Sequence, residues 1–570
     1  MSLLIKFFQI LFITAILSSP CSLYAKSVVL KPNIPIEEQI RSTSCKYVVK
    51  HDIDLKGKNV RFADGSTLVM KQGSLLNGTI SGMIYLKAKG KVRAVPSKDC
   101  TILNAIDIYA GKNSIQLMEV CSKGFTLKED IVIESPIRLR SGISVNGNGH
   151  SITSKETASV ALYFIGSKNI ELSNISIIKK VASGTGNQNY AIFGENMSDL
   201  YFKNCKIEGR IQFTNITMSD DDNSISRNIS FNKCLLTCDL STSKQGWEYG
   251  QDHLAFFSVK DIKIDHCIIE SKNVNRVIKT SSYFSESKFE QAVNCTDGIE
   301  FTNNVVTAKA EYGKQVWDMF CGTVNATISD NTFNTVGFSC VFEDKAVQPK
   351  YKNGVLINSL ISFTGNTVIA ENAVLFKFMA NKLCDSFLFK GNKVNLCGKN
   401  LNSKTDQNRT TGIYLQGYKS CKILDNEFNF TDEATGLQFA LVNFEVEDTE
   451  ISNNNINDSY RIYFAKSGGK NVSAESFKYL GNKRLYSDRY QNRKTEISVA
   501  EAFIQDLQIK LCSDNGNDTP VTFDKESAVD SFNIDGQIGA LYEINSNDVR
   551  MNKSNQSSRV KQVGNKWIKQ

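Results

Sequence analysis

Ten copies of one short phrase occupy the middle of this 570-residue chain, between residues 170 and 456. Each runs apolar, any residue, apolar, two turn-forming residues, Asn or Cys, then another apolar residue. Clear copies are Leu200-Tyr201-Phe202-Lys203-Asn204-Cys205, Ile262-Lys263-Ile264-Asp265-His266-Cys267, Ile328-Ser329-Asp330-Asn331, Phe387-Leu388-Phe389-Lys390-Gly391-Asn392 and Ile451-Ser452-Asn453-Asn454. The second apolar position of each copy marks the repeat: Leu172, Phe202, Phe231, Ile264, Phe301, Ile328, Phe363, Phe389, Ile423 and Ile451. The nine intervals average 31 residues, with single steps from 26 to 37. A period of this size belongs to solenoids and propellers. Alternation with period two argues for strands over helical repeats. Seven Pro in the whole chain suit a fold whose ladder N–H groups must nearly all donate. A propeller would want a more regular period and more aromatic punctuation.

Three residues after each marker, from the second copy on, stand Cys205, Cys234, Cys267, Asn304, Asn331, Asn366, Asn392, Asn426 and Asn454. When coils stack ~4.8 Å apart, identical Asn side chains can hydrogen-bond up and down the stack at a tight turn. Cys in the same place reads as a small buried filler. The pattern resembles the right-handed parallel β-helix of the pectate-lyase-like superfamily, over roughly residues 100 to 460. The resemblance implies an all-β solenoid of about 10–13 coils with N-terminal and C-terminal caps.

Residues 1–25 read as a secretory signal: Lys6 is the positive flank, Phe7 to Leu17 the apolar run, and Leu23-Tyr24-Ala25 a cleavage site. Cys21 follows Pro20 and fits a lipid-attachment box poorly. No later run is long and apolar enough to span a bilayer. The expected location is therefore secreted, periplasmic or cell-surface. The formal charge of +8 falls to +7 once Lys6 is removed, and the excess is spread along the chain. That argues against nucleic acid and is compatible with an acidic polysaccharide as partner. The oligomeric state is open. Fourteen of the 15 Cys follow the signal, without the paired spacings of a zinc site, so most are expected free and buried.

Residues 26–100 are expected to form an N-terminal β cap over the first apolar coil. Their short strands, Asp54-Leu55-Lys56-Gly57-Lys58 and Gly73 to Gly82, resemble the entry segment of secreted β-helix proteins of Bacteroidetes type. Residues 101–460 are the solenoid; Asn146-Gly147-Asn148-Gly149-His150 is similar to a structural turn near the start of many β-helix carbohydrate enzymes. The repeat phrase is expected to stop after Ile456, leaving 461–570 as a C-terminal cap and polar tail. Ala500, Phe503, Ile504 and Leu507 are spaced for one face of a short helix within Val499 to Leu511.

Several residues before each marker strand lies an earlier strand. Aligned, these strands predict an outward column of Lys279, Asp318, Glu343, Lys377, Gln416 and Asn443. A Lys, two carboxylates and a Lys on one face suit an extended glycan cleft, with Lys279, Asp318, Glu343 and Lys377 as candidate catalytic groups. Arg276, Gln416 and the aromatic Trp317, Tyr283 and Tyr414 are candidate substrate contacts. Asp252 and His253, near Trp247-Glu248, offer a further acid, base and stacking surface. Long insertions at 280–298 and 344–359 would wall the groove. Cross-strand ion pairs on a solvated sheet face explain the same charges without a ligand.

Three motif resemblances bear on the chemistry. Arg276-Val277-Ile278-Lys279-Thr280-Ser281 looks like the catalytic-lysine strand of alginate and chondroitin lyases, which implies Lys279 as the base; the next coil carries Trp317-Asp318 where those enzymes carry Arg. Ile264-Asp265-His266 is similar to a pectate-lyase phrase, but their Arg-x-Pro-x-x-Arg is absent, with no Pro between Pro136 and Pro349. Register instead puts His266 at the turn held elsewhere by Asn204 and Asn303. Asp220-Asp221-Asp222 imitates the paired Asp of polygalacturonases, yet none of the four His stands in Gly-His-Gly. No motif fixes a cofactor; Ca2+ is compatible with that Asp run but unsupported by a motif. The sequence therefore predicts an exported polysaccharide-active β-helix, a lyase or glycoside hydrolase of an acidic glycan, or alternatively a non-catalytic glycan-binding or surface-structural one.

Overall fold

A computed structural model describes residues 27–179, 190–215, 226–241, 251–281, 296–319, 323, 325–344 and, with short gaps, 351–536, together with 560–563 and 566–569. The segment 1–25 read as a secretory signal, Tyr283, Asp220 to Asp222 and Trp247-Glu248 lie outside the described residues. By compactness the chain divides into two units, Met1–Ile131 and Val132–Gln570.

In the first unit, Ser27–Leu30, Lys46–Val49, Ser66–Met70 and Thr79–Ala88 pair in parallel, each with the next. Alternate residues point inward, so Tyr47, Val49, Leu68, Ile84 and Leu86 are buried. The phrases singled out above form a second parallel pair, Ile53–Asp54 with Leu75–Leu76. Gly73 lies so close to the main chain of His51 that a Cβ there would sit 2.2 Å from its carbonyl, which explains the glycine.

The second unit is an all-β parallel β-helix solenoid. One coil shows the plan: a leading strand Asp252–Phe257, a repeat strand Lys260–Asp265 carrying the marker, and a trailing strand Ile268–Lys272. Each strand pairs in parallel with its counterpart in the next coil, giving three sheets. All nine marker intervals are confirmed residue for residue, from Leu172 opposite Phe202 to Ile423 opposite Ile451. Every marker is buried. The Phe copies stack on one another, with ring centroids 4.6 Å apart for Phe202–Phe231 and 5.2 Å for Phe363–Phe389. Burying each such ring contributes roughly 1.5–3 kcal/mol.

Two residues after the marker, every coil turns through left-handed backbone: Asn204, Lys233, His266, Asn303, Asp330, Gly365, Gly391, Asp425 and Asn453 have φ between 52° and 66°. His266 thus occupies a turn position, and its imidazole Nδ1 lies 2.9 Å from Asp265 Oδ1. The next residue is the ladder. From Asn304 to Asn454 each Asn Nδ2 donates to Oδ1 of the Asn one coil on, at 2.8–3.2 Å. Each also donates to the carbonyl of the preceding coil's marker, as Asn366 does to Ile328 at 2.8 Å. Cys205, Cys234 and Cys267 continue the column as buried free thiols. Among the described residues nine cysteines stand outside any disulfide, and all nine are buried.

Two expectations for the C-terminal part are corrected. The repeat does not stop after Ile456, because Ile451 pairs with Tyr479, Tyr479 with Ile509 and Ile509 with Ile534. Asn482 is a further ladder rung, its Oδ1 accepting from Asn454 Nδ2 at 2.8 Å. No helix spans Val499 to Leu511; Glu496–Ala500 and Ala502–Cys512 are strands. Buried Ala502 and Ile504, then Leu507 and Ile509, are two period-two runs separated by a three-residue step. That step at a corner between strands imitates helical spacing. No helix among the described residues is long and apolar enough to cross a membrane.

Candidate functional site

On the leading sheet the predicted column forms for its first four members. Lys279 pairs with Asp318, Asp318 with Glu343 and Glu343 with Lys377. The column then differs from expectation: Lys377 pairs with Tyr414, and Tyr414 with Val442. Gln416 falls two residues along, opposite Met379 and Phe444, and Asn443 falls opposite Leu415. A register shift between Met379 and Cys384 accompanies the change. Upstream, Gln212 and Ala255 precede Lys279 in the same column.

The intervening residues face the core. Ile278, Trp317, Phe342 and Phe376 pair in succession and are buried. Trp317 packs against Phe301 at 5.1 Å, and its Nε1 donates to Thr280 Oγ1 at 3.0 Å. The expectation of a sugar-stacking Trp317 is therefore corrected; alternation beside an outward Asp318 sends the indole inward. His253 is corrected too. It is fully buried, with Nδ1 2.7 Å from Ser271 Oγ, so it meets no substrate. Burial, helped by the nearby Arg210 charge, brings its imidazole down to about 3.

The charged members are already engaged with one another. Arg276 Nε lies 2.6 Å from Asp318 Oδ2, and its Nη1 donates to Asp252 Oδ1 at 3.2 Å. Arg210 Nε donates to the main-chain oxygen of Asp252 at 3.0 Å, and its guanidinium sits 4.5 Å from the centroid of the Tyr190 ring. Tyr190 Oη donates to Gln212 Oε1 at 2.9 Å. Glu343 accepts from the Gln315 side-chain amide and lies 3.6 Å from Lys377 Nζ. Asp252, Asp318 and Glu343 are buried, whereas Lys279 and Tyr414 are half-buried and Lys377 keeps 40% of its side chain exposed. Lys279 Nζ rests 5.3 Å from the centroid of the Phe257 ring.

Burial pushes the Asp318 carboxyl above its ordinary range, reinforced by Asp252 and Glu343 and opposed by Arg276 and Lys279. For Arg276 burial acts downward, but the two aspartates prevail and hold the guanidinium more firmly protonated. A buried charge is tolerated only when paired, and this face meets that condition over several coils. A ligand approaching it meets the Lys279 and Lys377 ammonium groups first; the carboxylates lie beneath, neutralised. Sequence reasoning missed Tyr190, Arg210, Gln212 and Gln315. The alternation in Arg210-Ile211-Gln212-Phe213-Thr214 is the signal that extends the leading strands upstream and would have found two of them.

Among the described residues no cluster of three or more His, Cys, Asp or Glu is arranged to hold a metal ion. Asp265 near the turn is structural in its contacts. Burial works to raise its carboxyl, but hydrogen bonds from His266, Asn303 and Thr302 outweigh that and bring it down to about 2.

No family model matches the chain, and no curated protein matches it. Among solved structures it is similar to PfbA, a surface adhesin of Streptococcus pneumoniae, at 10% identity and a TM-score of 0.21, over 79% of this chain and 92% of the other. A likeness at that level fixes neither fold nor function.

Proposed function

We propose that this chain is an exported, non-catalytic glycan-binding β-helix protein that grips an acidic polysaccharide along its leading sheet. The reading includes the right-handed coil of the pectate-lyase-like superfamily and export through the signal in residues 1–25. One observation carries it: the carboxylates in the column are buried and paired, while the two lysines above them are solvent-accessible. A lyase needs a base free to take a proton, and a hydrolase needs an acid and a base free to act on opposite sides of a bond. Asp318 and Glu343, each held by its own partner, fit neither role, and beside Lys279 the next coil carries Trp317-Asp318 in place of the Arg that lysine-base lyases use. Lys279 and Lys377 stand three coils apart, about 14 Å at the usual strand spacing, which suits successive acidic groups of a linear polymer. Tyr414 follows in the column as a half-buried ring at its end.

The test is incubation of the purified protein with a panel of uronic-acid polysaccharides. Expected are binding that weakens with salt and no release of unsaturated uronate ends or new reducing ends. Lys279→Ala combined with Lys377→Ala should weaken binding by roughly a hundredfold or more, since each charge-assisted contact contributes about 1.5–3 kcal/mol. Product formation abolished by Lys279→Ala would overturn the reading in favour of a lyase. The export half is checked by N-terminal sequencing of the secreted form, which should begin just after Ala25.

A further inference from the structure

The trailing sheet of the same solenoid carries a groove of about 620 Å³, within the range of small-ligand sites. Its lining spans five successive coils, from Lys179 to Lys309. Glu208 pairs with Thr237, Thr237 with Glu270 and Glu270 with Thr307, forming one outward column. Two residues further along the strands, Asp239, Lys272 and Lys309 form a second. Cys238 and Ser271, between the columns, turn inward and are buried.

The groove is chemically unlike the leading face. Glu270, Thr307 and Lys309 are exposed and Thr237 is half-buried. Among the described residues, their carboxylate, ammonium and two hydroxyls have no hydrogen-bond or ion-pair partner. Two of the other groove charges are ion-paired: Asp239 with Lys272 at 3.1 Å, and Glu208 at 3.4 Å with Lys206, which is not part of the lining. Lys179 at one end is buried, with Nζ donating to the Lys155 carbonyl at 3.0 Å. Three acids (Glu208, Asp239, Glu270) and three lysines (Lys179, Lys272, Lys309) line the groove, so its formal charge is zero. What it presents free is a hydroxyl, a carboxylate and a hydroxyl at ~4.8 Å intervals, about 10 Å from end to end, with the Lys309 ammonium beside them.

We infer that this groove is a binding site for a neutral oligosaccharide. An uncharged, hydroxyl-rich chain pairs with a carboxylate, an ammonium and two hydroxyls without leaving a charge uncompensated. A polyanion meets Glu270 and Asp239 as repulsive groups and gains nothing from a site of zero net charge. Discrimination through such polar groups is strong, because a ligand lacking the matching hydroxyl leaves them desolvated and unpaired. The site shares no residue with the leading-sheet column, so the inference stands apart from the acidic-glycan reading.

The test is titration calorimetry of the full secreted chain with short neutral oligosaccharides of glucose, mannose and galactose, and in parallel with uronic-acid oligosaccharides. At least one neutral series should bind. Glu270→Ala and Lys309→Ala should each lower that affinity by about tenfold or more, and Thr237→Val by a smaller factor. All three should leave uronic-acid binding unchanged, while Lys279→Ala with Lys377→Ala should leave neutral binding unchanged. These groove side chains are outside the core, and unchanged circular dichroism and uronic-acid binding serve as the folding control. The inference is overturned if no neutral series binds, if neutral binding survives Glu270→Ala and Lys309→Ala, or if uronic-acid oligosaccharides compete for the groove.

Discussion

The leading and trailing sheets share strand spacing and coil period, yet their outward faces have opposite chemistry. On the leading face Asp252, Asp318 and Glu343 are buried and Arg276 keeps only 14% of its side chain exposed. On the trailing face Asp239 and Lys272 keep 53% and 59% exposed, and Glu270 and Lys309 stand in solvent. Burial is what separates them. A desolvated ion is stable only against a partner, so the leading face has become a closed network, whereas water stabilises charges on the trailing face and leaves them available. An ionisable column read from sequence is therefore not yet a site; its accessibility decides.

The largest expected effect breaks the leading network. Arg276→Ala leaves two buried aspartates unpaired and should cost about 3–5 kcal/mol in urea unfolding. If it costs no more than Glu270→Ala, the two faces do not differ as described. Asn366→Ala is the interior yardstick. It strips hydrogen bonds from Asn331 main-chain and side-chain nitrogens, the Ile328 carbonyl and Asn392 Oδ1, and should cost about 2–4 kcal/mol, because partners left buried and unsatisfied bear most of the penalty.

A third effect is pH-dependent. His253 titrates at about 3 in the fold and near 6.5 when unfolded. Between those values the unfolded chain holds the extra proton, so stability is full above the unfolded value and falls as pH drops, by about 1.4 kcal/mol per unit at most. His253→Gln should flatten the urea midpoint between pH 6.5 and pH 4 relative to the parent protein. An equally steep slope in the variant would show that the imidazole is not the buried titrating group. Smallest of all, Glu270→Ala and Lys272→Ala should change stability by no more than ~0.5 kcal/mol, as exposed substitutions do. A larger loss would mean that the trailing groove is a structural element.

Much of the fold was legible because the repeat carries its own register. Marker, left-handed turn and ladder residue recur in fixed order, and a one-residue slip would turn every marker outward. The same rule explains the error at Gln416. A two-residue slip keeps every side chain on its face, so choosing Gln416 over Tyr414 as the partner of Lys377 left no trace in the alternation. Asn482 was missed because Phe477-Lys478-Tyr479-Leu480-Gly481-Asn482 repeats the phrase only in part, with Leu480 at the first turn position. In the site, Lys279, Asp318, Glu343 and Lys377 were correctly aligned, but Trp317 and His253 were assigned to a surface they do not reach. Nothing in a local sequence separates a buried aspartate beside an arginine from an exposed one.

The sequence by itself determined the coil, its period, the inward ladder and which strand brings the four ionisable residues into one column, since all of these follow from periodicity along the chain. Only the tertiary structure decided what those residues are free to do. Whether Asp318 meets Arg276 or water, and whether Glu270 stays unpaired beside Lys309, depends on contacts between coils about 40 residues apart along the chain, and solvent access is a property of that packed surface.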